Sequence, residues 1–163
     1  MFALVFVMTY VPKVPIGPGG YVHLGDAAIY ATSFLFGPVV GFFAAACGTT
    51  FSDLAAGYGS YAPGTFVIHG LQGLLAAVIA WRRGLPRMIT AAVIGGAAVV
   101  GGYFLYQWLV LREGIGPAGA ALWSNTFQVL TGGVLGVLPT TAVLRAYPPA
   151  ASLGGRPTWT EET

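Results

Sequence analysis

Residues 88–111, MITAAVIGGAAVVGGYFLYQWLVL, run without a single charged side chain between Arg87 and Arg112. A helix needs about 20 apolar residues to cross roughly 30 Å of hydrocarbon, so this run predicts a membrane span. The rest of the chain is built the same way. Only 7% of its 163 residues are charged and 56% are hydrophobic, where a soluble domain carries about 25% charged residues. Mean hydropathy is +0.76. Such a chain cannot cover its own surface with polar groups, and the reading is an all-α integral membrane protein of one domain.

Three runs are long enough to cross: 61–81, 88–111 and 118–147. Pro63 falls in the first turn of its helix, where a missing N–H is tolerated, and the last run is expected to tilt or kink near Pro139. Between 25 and 56 the apolar run is too long for one helix. Proline disfavours helix in the residue before it, so Gly37-Pro38 divides the run into helices at 26–36 and 38–56. An N-terminal helix at 1–11 makes six. Eleven residues rise only about 17 Å, which favours a start missing from this chain over a half-span. No basic n-region or small-residue cleavage site marks a signal peptide.

Six helices place both termini on one side, with Arg82, Arg83, Arg87, Arg145 and Arg156 together and Lys13 and Arg112 opposite. Under the positive-inside rule both termini are cytoplasmic. The membrane domain then covers 1–147, and 148–163 reads as a polar, disordered cytoplasmic tail.

Ionisable residues inside apolar helices are costly and usually face a protein interior or a water-filled cavity. Residues three and four apart share a helix face. On that spacing Thr65, His69 and Gln72 align in the fourth helix, Tyr103, Tyr106 and Gln107 in the fifth, and Ser124, Gln128 and Thr131 in the sixth, with Asn125 beside them. The topology places His69, Gln107, Asn125 and Gln128 at similar depth, in the outer half or near the midplane, below loops carrying Tyr21, His23, Tyr58 and Tyr61. The set predicts a binding cavity, against the plainer reading that these groups only bond one another across helices. Individually, Asp26 is either a first-turn acid on the helix dipole or part of that site. Asp53 orders a loop, and His69 is either a satisfied core histidine or a ligand contact. The proline- and glycine-rich 12–20 loop, with Lys13, Gly17, Gly19 and Gly20, suits a lid over the cavity mouth. Cys47 reads as a small packed residue.

Several chemistries have no motif here. There is no P-loop sequence for ATP hydrolysis and no His/Cys cluster for a metal. No serine elbow accompanies His69, and no basic stripe tracks nucleic acid. No cofactor and no catalysis are expected.

The ordered set GGYVHLGDAAIY, LFGPVVGFFAAACGTTFSDLAAGY, YAPGTFVIHGLQGLLA and SNTFQVLTGGVLG resembles the substrate-binding S component of energy-coupling factor vitamin transporters, over roughly residues 19–145. The resemblance implies a compact six-helix bundle in a bacterial-type cell membrane that captures a water-soluble vitamin from outside. It implies as partners a transmembrane T component and two ATPases, which carry the P-loops absent here. This chain departs from the family in placing His69 where many relatives have lysine. Its first helix offers only Ala3 toward the alanine-rich surface used for the T component. It begins Met-Phe rather than the Met-His of the metal-transporting branch.

The candidate ligand residues are His23, Asp26, Tyr58, His69, Gln72, Tyr103, Gln107, Trp123, Asn125 and Gln128. None is lysine or arginine, which a strongly anionic vitamin would want. Aromatic rings and amides suit a flat, mostly neutral heterocycle. Riboflavin is the first choice, then a pyrimidine or a pyridoxine-like compound. The competing class is a stand-alone proton-coupled carrier using Asp26, Asp53 or His69.

Overall fold

A computed structural model describes residues 1–12, 14–15 and 21–154. It is all-helical apart from one two-residue strand pair. The helices are α1 (Phe2–Tyr10), α2 (Gly25–Phe36), α3 (Pro38–Ala55), α4 (Ala62–Ala80), α5 (Leu85–Leu105) and α6 (Ile115–Ala146). Strands β1 (Val14–Pro15) and β2 (Tyr21–Val22) pair antiparallel between α1 and α2. The expected lid residues Lys13, Gly17, Gly19 and Gly20 lie outside the described residues.

Four helical stretches are long and apolar enough to span a membrane: Pro38–Ala55, Ala62–Ala80, Leu85–Val110 and Ile115–Ala146. Helices α1 and α2, at 9 and 12 residues, are too short to cross alone. At about 1.5 Å per residue, the 32-residue α6 is longer than the hydrocarbon core, a mismatch relieved by tilting. Pro139 lies inside it without ending it. Apolar side chains face outward along the bundle: Val67, Val78, Val93 and Leu130 are each more than 60% exposed. A surface of that kind is stable against lipid and not against water.

The breaks follow local chemistry. Gly37 takes φ +85°, a conformation costly for any residue with a Cβ, and a Cβ there would also press on the Trp81 ring. Pro38 then opens α3 at a first-turn position. Pro86 does the same for α5, which begins three residues before the expected 88. The far end of the fifth run is not α-helical. Tyr106–Val110 forms a π-helical turn, a local widening that sequence periodicity does not reveal and that is frequent at functional sites.

Beyond α6, Pro148–Ser152 forms a 3-10 helix, which corrects the expectation of disorder from 148. Ala150 is buried, and the segment packs on α6 and the end of α2. This apolar stretch has somewhere to go. Nothing from 155 onward is among the described residues.

Helix α3 packs between α1, α2 and α4, while α5 bridges α4 and α6, and α6 returns to α2. Backbones come close where side chains are smallest. A Cβ on Gly73 would overlap the Gly41 carbonyl, and one on Gly132 would overlap Asp26 Cβ. The largest buried cluster joins Tyr30 and Phe34 of α2 to Ala76 and Ala80 of α4, Met88 and Ala91 of α5 and Val137 of α6.

Candidate functional site

Asp26 sits one residue into α2 and is fully buried. It is a first-turn acid and not the N-cap, which is Leu24. Its carboxylate instead crosses to two other helices. Gln72 Nε2 of α4 donates to Oδ1 at 2.7 Å and Gln128 Nε2 of α6 donates to Oδ2 at 2.8 Å. Gly132, one turn beyond Gln128, leaves the space that lets α2 and α6 approach.

The orientation of Gln72 settles the neighbouring ring. With its nitrogen on Asp26, its oxygen faces His69 Nδ1 at 2.7 Å. An amide oxygen only accepts, so Nδ1 is the donor of this bond. His69 Nδ1 also lies 3.7 Å from Asp26 Oδ1.

A second chain runs alongside. Thr65 donates to Asp53 Oδ2 at 2.6 Å, and the Tyr103 hydroxyl lies 2.7 Å from Thr65 Oγ1. Because the threonine proton goes to Asp53, Tyr103 supplies the proton of the second bond. The Tyr103 ring meets His69 edge-on, with centroids 5.7 Å apart. The two chains thus adjoin at one aromatic contact and together engage α2 through α6.

The expected site residues divide into groups. Asp26, His69, Gln72 and Gln128 come together and bond one another, while Tyr103 bonds Thr65 and touches His69 only through its ring. Gln107, in the π-helical turn, is buried, and Asn125 on α6 is half-buried. Neither side-chain amide has a hydrogen-bond partner among the described residues. At 100° per residue, Asn125 is about 60° around α6 from Gln128, whereas Trp123 is about 140° away. Trp123 is accordingly 74% exposed, and its expected place in the cavity is corrected: it faces outward. His23 is buried and its Nδ1 accepts the Gly25 N–H at 3.1 Å, tying the entry of α2. Tyr58 is exposed and packs edge-on against Tyr61, whose hydroxyl donates to Glu113 at 2.6 Å. That bond and the one from Tyr106 OH to Ser60 O at 2.8 Å join the α3–α4 loop to the far end of the fifth run.

Two contributors escaped the sequence reading. Asp53, taken for a loop residue, belongs to the Thr65–Tyr103 chain. Tyr30, one turn from Asp26, is fully buried and donates to Ala92 O at 2.9 Å. Its i+4 spacing from Asp26 was the available signal. Among the described residues no group of three or more His, Cys, Asp or Glu side chains is placed to hold a metal.

A protein of Pyrococcus woesei described as an uncharacterized protein in a gap 3' region is 32% identical over 137 residues, 81% of this chain and 88% of its own length. The thiamine precursor transporter HmpT of Lactococcus lactis subsp. cremoris (strain MG1363) is 34% identical over 139 residues, 82% of this chain and 76% of its own length. A family model described as the ECF-type riboflavin transporter, S component, matches residues 1–145. The chain belongs to that family of transporter S components.

Proposed function

We propose that this protein captures a flat, mostly neutral water-soluble vitamin or vitamin precursor at the outer half of the membrane. It hands the ligand to a T component and two ATPases for ATP-driven uptake, and performs no catalysis of its own. The observation that carries the reading is the division of the polar groups. A closed network holds Asp26, Gln72, Gln128 and His69 Nδ1, while the side-chain amides of Gln107, after α5, and Asn125, on α6, have no hydrogen-bond partner among the described residues. No lysine or arginine lies among them. Uncommitted amides near aromatic rings suit a heterocycle offering both donors and acceptors. Riboflavin is the first candidate, supported by the family description. A pyrimidine is second, supported by the relative named as a thiamine precursor transporter.

Orientation follows from charge. Arg82 and Arg83 share one cavity with Leu144 and Pro148, so the ends of α4 and α6 meet at one end of the bundle. Tyr61 and Glu113 mark the opposite end. With the arginine-rich end cytoplasmic, the end of α6 lies inside and Gln107 and Asn125 fall in the outer half.

A proton-coupled carrier fits less well. Asp26 is fully buried with both oxygens occupied, and the group between it and His69 is an amide, which does not titrate.

Titration of the purified protein with riboflavin, followed by quenching of flavin fluorescence, tests the first candidate. Saturable submicromolar binding is expected, in the range of a dedicated capture protein. Saturable binding of a pyrimidine vitamin precursor without riboflavin binding would move the assignment to the second. Accumulation of substrate by the chain reconstituted alone under a pH gradient would replace capture by the carrier reading.

A further inference from the structure

At the end of the bundle where α4 stops and α6 runs out lies an open cavity of about 560 Å³. Phe34, Leu144, Pro148 and Ala151 give it apolar walls, and Arg82 and Arg83 give it charge. Ser152 completes the lining, with its hydroxyl proton already given to Pro149 O.

Three observations distinguish this place from a solvated basic loop. Arg82 takes φ +58°, a left-handed conformation usual for glycine and rare for a side chain of this size. That turn lays its guanidinium over the Trp81 ring, 4.7 Å from the centroid, so the cation is held in place before any partner arrives. Among the described residues no carboxylate pairs with either arginine. Asp26 is enclosed by its two glutamines, and Asp53 and Glu113 are engaged with Thr65 and Tyr61.

Two guanidiniums without counter-charge call for an anion they can grip in a fork, which phosphate oxygens satisfy. A free phosphate ion would have no use for four apolar walls. The cavity opens at the end of helices whose flanks are apolar and exposed, where lipid headgroups lie. We propose that it holds the phosphodiester headgroup of an anionic phospholipid, with the arginines on phosphate and the glycerol–acyl portion against Phe34 and Leu144. Basic pockets between membrane helices recognise headgroups in this manner.

Native mass spectrometry of the full chain with phosphatidylglycerol or phosphatidylcholine of identical acyl chains tests the site. The native protein is expected to retain phosphatidylglycerol at least about fivefold in preference. R82Q/R83Q should bring the two lipids to parity, and R112Q, at the opposite end, should keep the preference. A151D, at an exposed position, sets a carboxylate against the arginines and should abolish the preference even where the double glutamine variant is not recovered folded. An unchanged preference in both R82Q/R83Q and A151D overturns the proposal. Displacement of the lipid by millimolar inorganic phosphate overturns it in favour of a free-anion site. Absence of any preference in the native protein overturns it in favour of an acidic protein segment on the same arginines.

Discussion

Gln72 stands between Asp26 and His69, its nitrogen 2.7 Å from the carboxylate and its oxygen 2.7 Å from the imidazole. One amide thereby satisfies a buried acceptor and a buried donor that belong to α2 and α4. Replacement by leucine keeps the volume and removes both bonds. Gln72→Leu is expected to lower stability by about 2–6 kcal/mol, since each of the two buried groups left unsatisfied costs about 1–3 kcal/mol. Gln128→Leu, which takes one donor away, should cost about 1–3 kcal/mol. Thermal unfolding in detergent compares them, and a Gln72→Leu protein as stable as the native one would contradict this account of the network.

Adjacent glycines on α6 separate close approach from mere small size. An added methyl at Gly132 meets Asp26, while one at Gly133 lies 3.5 Å from Ala92 Cβ, an ordinary contact. Gly132→Ala should therefore destabilise by about 1–3 kcal/mol, the cost of overpacking. Gly133→Ala should be neutral or slightly stabilising, because it raises helix propensity. Unfolding midpoints of the pair read the difference directly.

Ligand affinity should follow the uncommitted amides. Gln107→Ala and Asn125→Ala are each expected to weaken binding by more than about 1 kcal/mol, roughly fivefold, with little change in unfolding temperature. His69→Ala should lose both affinity and stability, because its Nδ1 belongs to the network. Trp123→Ala should leave binding untouched, as its ring faces outward. Titration calorimetry on the four variants, with whichever vitamin the native protein binds, is the check.

Thr65 is shared between Asp53 and Tyr103, so the two bonds should not be independent. Thr65→Val and Tyr103→Phe are each expected to cost about 0.5–1.5 kcal/mol. The double variant should cost less than the sum, since residues in one network couple. Strict additivity of the unfolding free energies would show that the chain is not a unit.

Some of this arrangement could be read before any coordinates. The Gly37-Pro38 break is a local steric matter and falls where the dipeptide puts it. The face shared by Thr65, His69 and Gln72 follows from helical spacing alone. What spacing cannot supply is the partner: Asp26 finds Gln72 and Gln128 across 46 and 102 residues, and nothing in the local pattern distinguishes a glutamine that closes a network from one left open. Trp123 shows the opposite failure. Its ring suggested stacking on a flat ligand, but it lies two residues from Asn125 and so about 200° around the helix from it. The π-helical turn at Tyr106–Val110 was hidden for a third reason, being a slip in hydrogen-bond register that leaves residue order unchanged.

The contact between Gly41 and Gly73 has a mechanical meaning. Most helix seams are spaced by side chains, and rotamer changes let them breathe. Here main chain rests on main chain, so the gap between α3 and α4 is set by covalent geometry and has no slack to release. These two helices must travel as one body. Any widening that admits a ligand has to be borne by seams filled with long side chains, such as Tyr106 against Gly64 or Ile68 against Gly102, where the fifth run meets the fourth helix.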